Sequence, residues 1–399
     1  MSVESREQAA WRVLVLASAL ILTDTMFFNA VTPLLPHYAD EYGLSKAGAG
    51  LLAAMYPFGT FTFALVSGLV ASRFGVKAAV LTGMAGLATT SIAFGFATNI
   101  FMLDASRFIQ GASGSFVWTG SLTWLVSVAP AERRGQYIGI ALGTAIGGSM
   151  LGPVLGGLAS TVGTGPAFSV VAVVAAVLGS IVVGMKSAPA PRMQSLRLLP
   201  RALRDAGIRL GIWFVLLPAL ATGTLFVLAP LRLSDLGMSG LWIGVALFVA
   251  AVCEGVMSPV LGTFSDRRGR ALPLLCGLAG TTVVFALLPW PGSAWALAAL
   301  MLLALMAVGA FWAPGFSLLT DASETFGLDY ALAFALMSLA WAPGQAIGAA
   351  ASGAIANATS DAVPYLAVAT ITLVTFVVAR SHLPRAARVH APVSRMPLP

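Results

Sequence analysis

Gly68-Leu69-Val70-Ala71-Ser72-Arg73-Phe74-Gly75-Val76-Lys77 returns 194 residues later as Gly262-Thr263-Phe264-Ser265-Asp266-Arg267-Arg268-Gly269-Arg270. Each copy has a glycine, a polar residue followed by arginine, and a second glycine, and each follows a long apolar run. The same shift carries Pro36, Gly43 and Ser45 onto Pro230, Gly237 and Ser239. Further on a shift of 192 carries Glu132 and Gly135 onto Glu324 and Gly327, and Gly152 and Gly156 onto Gly344 and Gly348. A register held over so much chain marks an internal duplication with both copies in the same sense.

Apolar runs fill both copies. The first holds runs at about 12–36, 49–71, 77–97, 101–128, 136–160 and 166–186. The second holds them at about 210–231, 240–264, 271–290, 294–319, 329–354 and 363–382. A hydrocarbon core takes roughly 20 apolar residues to cross. Only 9% of the 399 residues are charged, against about 25% in soluble domains, and the mean hydropathy is +0.91. The fold class expected is an all-α membrane protein of about twelve helices in two six-helix halves. The halves are 1–186 and 210–384, joined by a basic linker at 187–209 and followed by a tail at 385–399. The polar stretch Met1 to Trp11 leads into a retained first helix, since no small-residue cleavage site follows it.

The net charge of +7 reads as topology, not nucleic-acid binding. With helices alternating from a cytoplasmic N-terminus, every Lys and Arg falls on the cytoplasmic side except Lys46, Arg232 and Arg107. That asymmetry is the positive-inside pattern and puts both termini in the cytoplasm. The linker arginines Arg192, Arg197, Arg201, Arg204 and Arg209 would lie against anionic lipid. Cys253 and Cys276 sit in apolar runs and read as small buried hydrophobes. His37, His382 and His390 have no ligand spacing, so no metal or other cofactor is expected. No phosphate loop is present, and nothing resembles an enzyme site.

The paired loops, Gly68 to Lys77 and Gly262 to Arg270, resemble the helix 2–3 loop motif of the major facilitator superfamily, and the resemblance covers nearly the whole chain. It implies a cytoplasmic gate at Gly68, Arg73, Gly75, Gly262, Asp266, Arg267 and Gly269. The first copy departs from the motif with Ser72 in place of an acid and Val76 in place of a base. Parallel half-repeats of this kind put the substrate at their interface near the bilayer midplane. Run 4 carries Asp104, Arg107, Gln110 and Gly111, similar to the superfamily's Arg-x-x-Gln-Gly motif. An arginine in hydrocarbon costs about 2.5–3.5 kcal/mol on insertion scales and needs a partner. Asp104, three residues earlier on the same face, and Asp24 are the candidates. The resemblance implies proton coupling through Arg107; a static ion pair with Asp104 is the other reading. Run 5 carries Gly148, Gly152, Pro153, Gly156 and Gly157, similar to the antiporter motif of the drug/proton antiporters. Glycines every fourth residue form a bare stripe for close helix packing, expected to pack the two halves and resist leak.

Run 1, with Asp24, Phe27, Phe28 and Asn29 ahead of Pro33 and Pro36, resembles the twelve-helix drug/proton antiporters and their vesicular-amine-transporter-like branch. An intramembrane acid is a functional candidate by default. Asp24 can exchange a proton for a cationic substrate, or be satisfied locally by a hydroxyl such as Thr23. Glu254 is the second intramembrane acid, read as a coupling residue or a structural hydrogen-bonder. Asp321 and Glu324 read as a solvated pair. Asp24, Phe28, Asn29, Trp118, Trp312 and Trp341 are the expected cavity residues, because aromatic faces hold organic cations. Trp11, Trp242, Trp290 and Trp295 read as interface anchors.

The expected protein is a proton-coupled antiporter that exports amphipathic, cationic small molecules or drugs by alternating access. Asp24 would carry the proton, Arg107 would modulate it and Glu254 would assist. The partners expected are a small-molecule substrate, protons and the lipid bilayer of a bacterial inner membrane, with the chain acting as a monomer and no nucleic acid involved. The alternative is a narrow exporter of an amino acid, sugar or biosynthetic product; a transport-dead receptor would be expected to lack Asp24 and Glu254.

Overall fold

Hydrocarbon offers the backbone no hydrogen-bond partners, so an apolar run that enters it must bond to itself as helix. The computed structural model describes residues 3–130, 133–187, 196–268 and 271–386, and shows no strand among them. Twelve long helices follow in order: α1 (Val3–Ala30), α2 (Lys46–Phe74), α3 (Val76–Gly95), α4 (Ile100–Val128), α5 (Arg134–Val162), α6 (Thr164–Gly184), α7 (Ala206–Asp235), α8 (Gly240–Arg268), α9 (Ala271–Leu287), α10 (Ala294–Phe326), α11 (Tyr330–Ala358) and α12 (Ala362–Ala386). Ten of the described helices are long and apolar enough to cross a membrane, and α9 is a shorter apolar helix. α4 is not among the ten. It carries Arg107 and Gln110 buried in its wall, so its polar residues face protein instead of lipid.

Most helices run past their apolar cores. α1 ends at Ala30, and a short turn over Thr32–Leu34, with Pro33 in it, leads into a second helical piece, Leu35–Tyr42. Proline has no N–H to give the preceding turn, so the last carbonyls of α1 are left for other donors. α7 starts at Ala206, inside the stretch read as linker, because Asp205 accepts from the N–H of Ile208 and caps it. The linker residues just before it pack Ala202 and Leu198 onto the feet of α7, α10 and α11. Gly75 has φ +91°, a conformation that side chains rarely adopt, and it allows the sharp turn between α2 and α3.

The duplication is visible in the packing. α5 lies along α1 and α11 lies along α7. A Cβ on Gly148 would stand 2.6 Å from the carbonyl oxygen of Leu22, and one on Gly152 2.6 Å from that of Met26. In the second copy, Gly344 sits in the same way over the Leu216 carbonyl, and Gly348 over Leu220. This corrects the expected role of the α5 stripe. Gly148, Gly152 and Gly156 hold α5 to α1 within one half. The stripe lies on the α1 carbonyls of Leu22, Met26 and Ala30, with the side chains of Thr25, Asn29 and Pro33 beside them.

Contact between the halves runs instead along α2 with α11 and α5 with α8. Gly157 meets Gly244, whose added Cβ would lie 3.0 Å from the Gly157 Cα, and Gly50 meets Gly353 at 3.1 Å in the same sense. At that end Lys46 Nζ donates to Asp361 Oδ1 at 2.6 Å, a partly buried ion pair between the halves. We expect Gly152→Leu to cost about 1–3 kcal/mol through overpacking, seen as a lower unfolding midpoint in detergent. Gly143→Ala, where no described atom lies within 4 Å of the new methyl, should leave the midpoint unchanged or raise it.

Candidate functional site

The site is built on the last turns of α1. Asp24 has no exposed surface. Tyr56 of α2 donates its phenol to Asp24 Oδ2 at 2.7 Å, and the indole N–H of Trp118 on α4 donates to the same oxygen at 3.1 Å. Oδ1 is buried with no hydrogen-bond partner among the described residues. Thr23, the local hydroxyl considered for this role, donates to the Ala19 carbonyl instead. Gly114 backs the carboxyl: a methyl there would stand 3.0 Å from Oδ1 and 3.1 Å from Oδ2.

Arg107 is 2% exposed and pairs with neither expected carboxylate. Ion pairs such as Lys46–Asp361 and Arg133–Glu7 lie elsewhere. Arg107 Nη1 donates to Gln110 Oε1 at 2.5 Å, and Nη2 reaches the Phe28 carbonyl at 3.4 Å. Its guanidinium lies 5.1 Å from the Tyr56 ring centre and 5.6 Å from that of Phe28. The cause is the end of α1, whose last carbonyls lack helical partners and carry the negative end of the helix dipole. Together with two aromatic faces they draw the guanidinium away from Asp104. Asp104 keeps a buried Oδ1 with no partner among the described residues. Tyr56 therefore touches both charged groups, through its hydroxyl to Asp24 and through its ring to Arg107.

The remaining cavity candidates divide. Phe28 stacks at 4.6 Å on Tyr56 and meets Trp341 of α11 edge-on at 5.7 Å, so it joins the halves. Asn29 donates to the Thr25 carbonyl at 2.9 Å and to Ser149 at 3.4 Å, which puts it in the α1–α5 contact. Phe27 is buried among Phe94 and Phe168, away from the acids. Trp312 is half-buried on α10. Glu254 packs on Gly309 of α10, where an added methyl would come 3.0 Å from its carboxyl oxygen. It stands in α8 beside Gly255, which faces Met150 and Ile146 of α5.

Of the gate loops, the first copy holds its own half together. Lys77 Nζ donates to the carbonyls of Val183 and Met185 at 2.7 and 2.8 Å, at the C-terminal end of α6. Ser72 donates back to the Leu69 carbonyl, and Arg73 lies over the Phe74 ring. The side chains of Gly262 to Arg268, with Asp266 and Arg267 among them, and all of Gly269 lie outside the described residues. Trp11, Trp242, Trp290 and Trp295 are each more than half exposed.

Sequence reading missed Tyr56, Gly114, Thr222 and Gln345. Thr222 on α7 donates to Gln345 Oε1 on α11 at 2.8 Å. Gln345 lines a cavity of about 20 Å³ between the halves, with Phe28, Thr32, Arg107 and Phe226. A tyrosine and a glutamine inside apolar runs were the available signals.

The sequence profile of the Major Facilitator Superfamily matches residues 16–224 and 210–397. A 280-residue stretch is 26% identical to the multidrug resistance protein MdtG of Proteus mirabilis, covering 66% of this chain and 68% of that protein. Another, of 299 residues, is 27% identical to the synaptic vesicular amine transporter of Homo sapiens, covering 73% of this chain and 58% of that one. Among solved structures, a bacterial homolog to the human lysosomal transporter Spinster, in an inward-facing and unoccupied conformation, superposes with a TM-score of 0.73. It shares 14% identity over 94% of this chain and 98% of its own, a likeness of fold.

Tyr56→Phe takes one of two donors from a buried acceptor. We expect it to lower stability in detergent by about 1–3 kcal/mol. In a double-mutant cycle with Asp24→Asn the two losses should not add, as measured by thermal unfolding.

Proposed function

This chain belongs to the Major Facilitator Superfamily and is a secondary transporter, not an enzyme; from that premise we propose that it exports amphipathic, cationic small molecules in exchange for protons. The observation that carries the proposal is the Asp24 carboxyl. It is fully buried, Tyr56 and Trp118 both donate to Oδ2, and Oδ1 has no partner among the described residues. An ionised carboxylate in a dry interior costs far more than a neutral one. Asp24 can thus hold a proton on Oδ1 until a cation approaches. A cationic amine that reaches it stabilises the charged form and releases the proton. Competition of proton and cation for one group gives exchange without further machinery.

Arg107 tunes this exchange without neutralising Asp24. Its charge reaches the carboxyl through Tyr56, whose phenol and ring touch both groups. Glu254, in the opposite half on α8 against Gly309 of α10, would assist as a second proton carrier. The relatives named for multidrug resistance and vesicular amine transport support amphipathic amines as the substrate class. Tetracycline resistance protein, class H, of Pasteurella multocida is 29% identical over 144 residues and supports drug export in the same way.

With both termini in the cytoplasm, the end closed by Lys46–Asp361 and by Gly50 on Gly353 faces outward. Rocking of α1–α6 against α7–α12 would break that end and open Asp24 to the outside. Compact loops and high Ala and Gly content fit a bacterial inner membrane, with the monomer as the working unit.

The test is reconstitution into liposomes with a pH dye inside, a pH step across the membrane and a panel of organic cations. Several cations should drive proton counterflow in the wild type, and Asp24→Asn should abolish it. Counterflow equal in wild type and variant would remove Asp24 as the proton site. No counterflow with any cation would remove broad amine export and leave a narrow metabolite exporter. Lys46→Ala should weaken the outer closure, read as increased labelling of a cysteine placed at Thr32 by an impermeant thiol reagent in a Cys253→Ser, Cys276→Ser background.

A further inference from the structure

We propose that the substrate carries a hydrogen-bond acceptor oxygen in addition to its amine, and that Arg107 and Gln345, one from each half, receive that oxygen. The proposal rests on the reading above, in which an amine engages Asp24, and it adds the second recognition point.

The cavity between the halves is lined by Phe28, Thr32, Arg107, Phe226 and Gln345. No carboxylate lines it. Asp24 is reached through Tyr56, which binds it on one side and faces Phe28 and Arg107 on the other. The charge shown to the cavity is thus positive, and a bare cation finds only ring faces there.

Two of its polar residues are nevertheless buried and each keeps a donor without an acceptor among the described residues. Arg107 is 2% exposed, and its Nε–H has no partner among the described residues. Gln345 is 4% exposed. Its Oε1 is held by the Thr222 hydroxyl at 2.8 Å, and its amide nitrogen has no partner among the described residues. Buried donors are almost always satisfied. Both residues line one cavity between the halves, which points to a ligand that supplies an acceptor. A carbonyl or hydroxyl oxygen fits both.

The placement also links binding to movement. Arg107 stands on α4 and Gln345 on α11, in opposite halves. An oxygen bound to both is held only while the halves are close, so a ligand bearing it favours that arrangement through its differential contacts. Thr222 acts as a positioning residue, since it turns the amide so that N–H faces the ligand.

The experiment compares β-dimethylaminopropiophenone with its deoxygenated counterpart, dimethyl(phenylpropyl)amine, in the proton-counterflow assay on reconstituted full-length protein. The two differ by one carbonyl oxygen. The wild type should show an apparent KM about tenfold lower for the ketone, as one net hydrogen bond provides. Gln345→Leu and Gln345→Met should bring the ratio to about one, and Thr222→Val should lower it part of the way. Two Gln345 variants, checked by gel filtration, guard against one failing to fold. A wild-type ratio near one, or a ratio unchanged in both Gln345 variants, overturns the proposal. Calorimetric binding of both amines to purified wild type separates this from failure of the antiport reading. Tighter ketone binding without counterflow removes proton exchange and keeps the donor pair; equal or absent binding removes the donor pair.

Discussion

A carboxyl and a guanidinium, both withdrawn from solvent inside a helix bundle, must be satisfied by the bundle itself. Asp24 and Arg107 meet that demand without pairing with each other. Tyr56 and Trp118 donate to the acid, while Gln110, the open end of α1 and two aromatic faces hold the base. A direct ion pair would quench both charges and fix the protonation of the acid. Here a tyrosine stands between the two groups, its hydroxyl on Asp24 and its ring against Arg107 at the edge of the cavity.

That arrangement depends on how close the backbones come. Gly148 and Gly152 bring α5 against the turns of α1 that carry Asp24 and Phe28. Gly114 leaves room for the carboxyl itself. In lipid, helices gain little from hiding apolar surface from one another, so van der Waals contact between bare backbones carries much of the association. Glycine here is the material of the site wall as well as of the helix contact. The second half repeats the scheme with Gly344 and Gly348 of α11 packed against α7. The shift of 194 carries Asp24 onto Pro218, so this half has no acid there, and its α11 carries Gln345, held by Thr222. One duplicated framework thus offers a carboxyl from one side and a neutral amide from the other.

Particular residues show how much of this was legible in the chain. The twelve helices, their pairing into halves and the importance of Asp24 and Arg107 followed from apolar run lengths, the repeated Gly and Arg spacing and the cost of charge in hydrocarbon. The partners of those residues did not. Asp104 stands three residues before Arg107, and helical spacing favoured it; the open carbonyls at the end of α1 won because they lie across a packed interface that spacing along α4 cannot report. The glycine stripe of α5 announced a close contact but not which helix would receive it.

The sequence alone determined what must lie in the membrane and which groups there are expensive. Both are local properties, set by the transfer free energy of each side chain and by the period of a helix. Only the tertiary structure decided that Tyr56 links Asp24 to Arg107, that the α5 stripe serves α1, and that Gln345 and Arg107 line one cavity between the halves. Those contacts join residues tens to hundreds of positions apart, and their geometry comes from how whole helices pack.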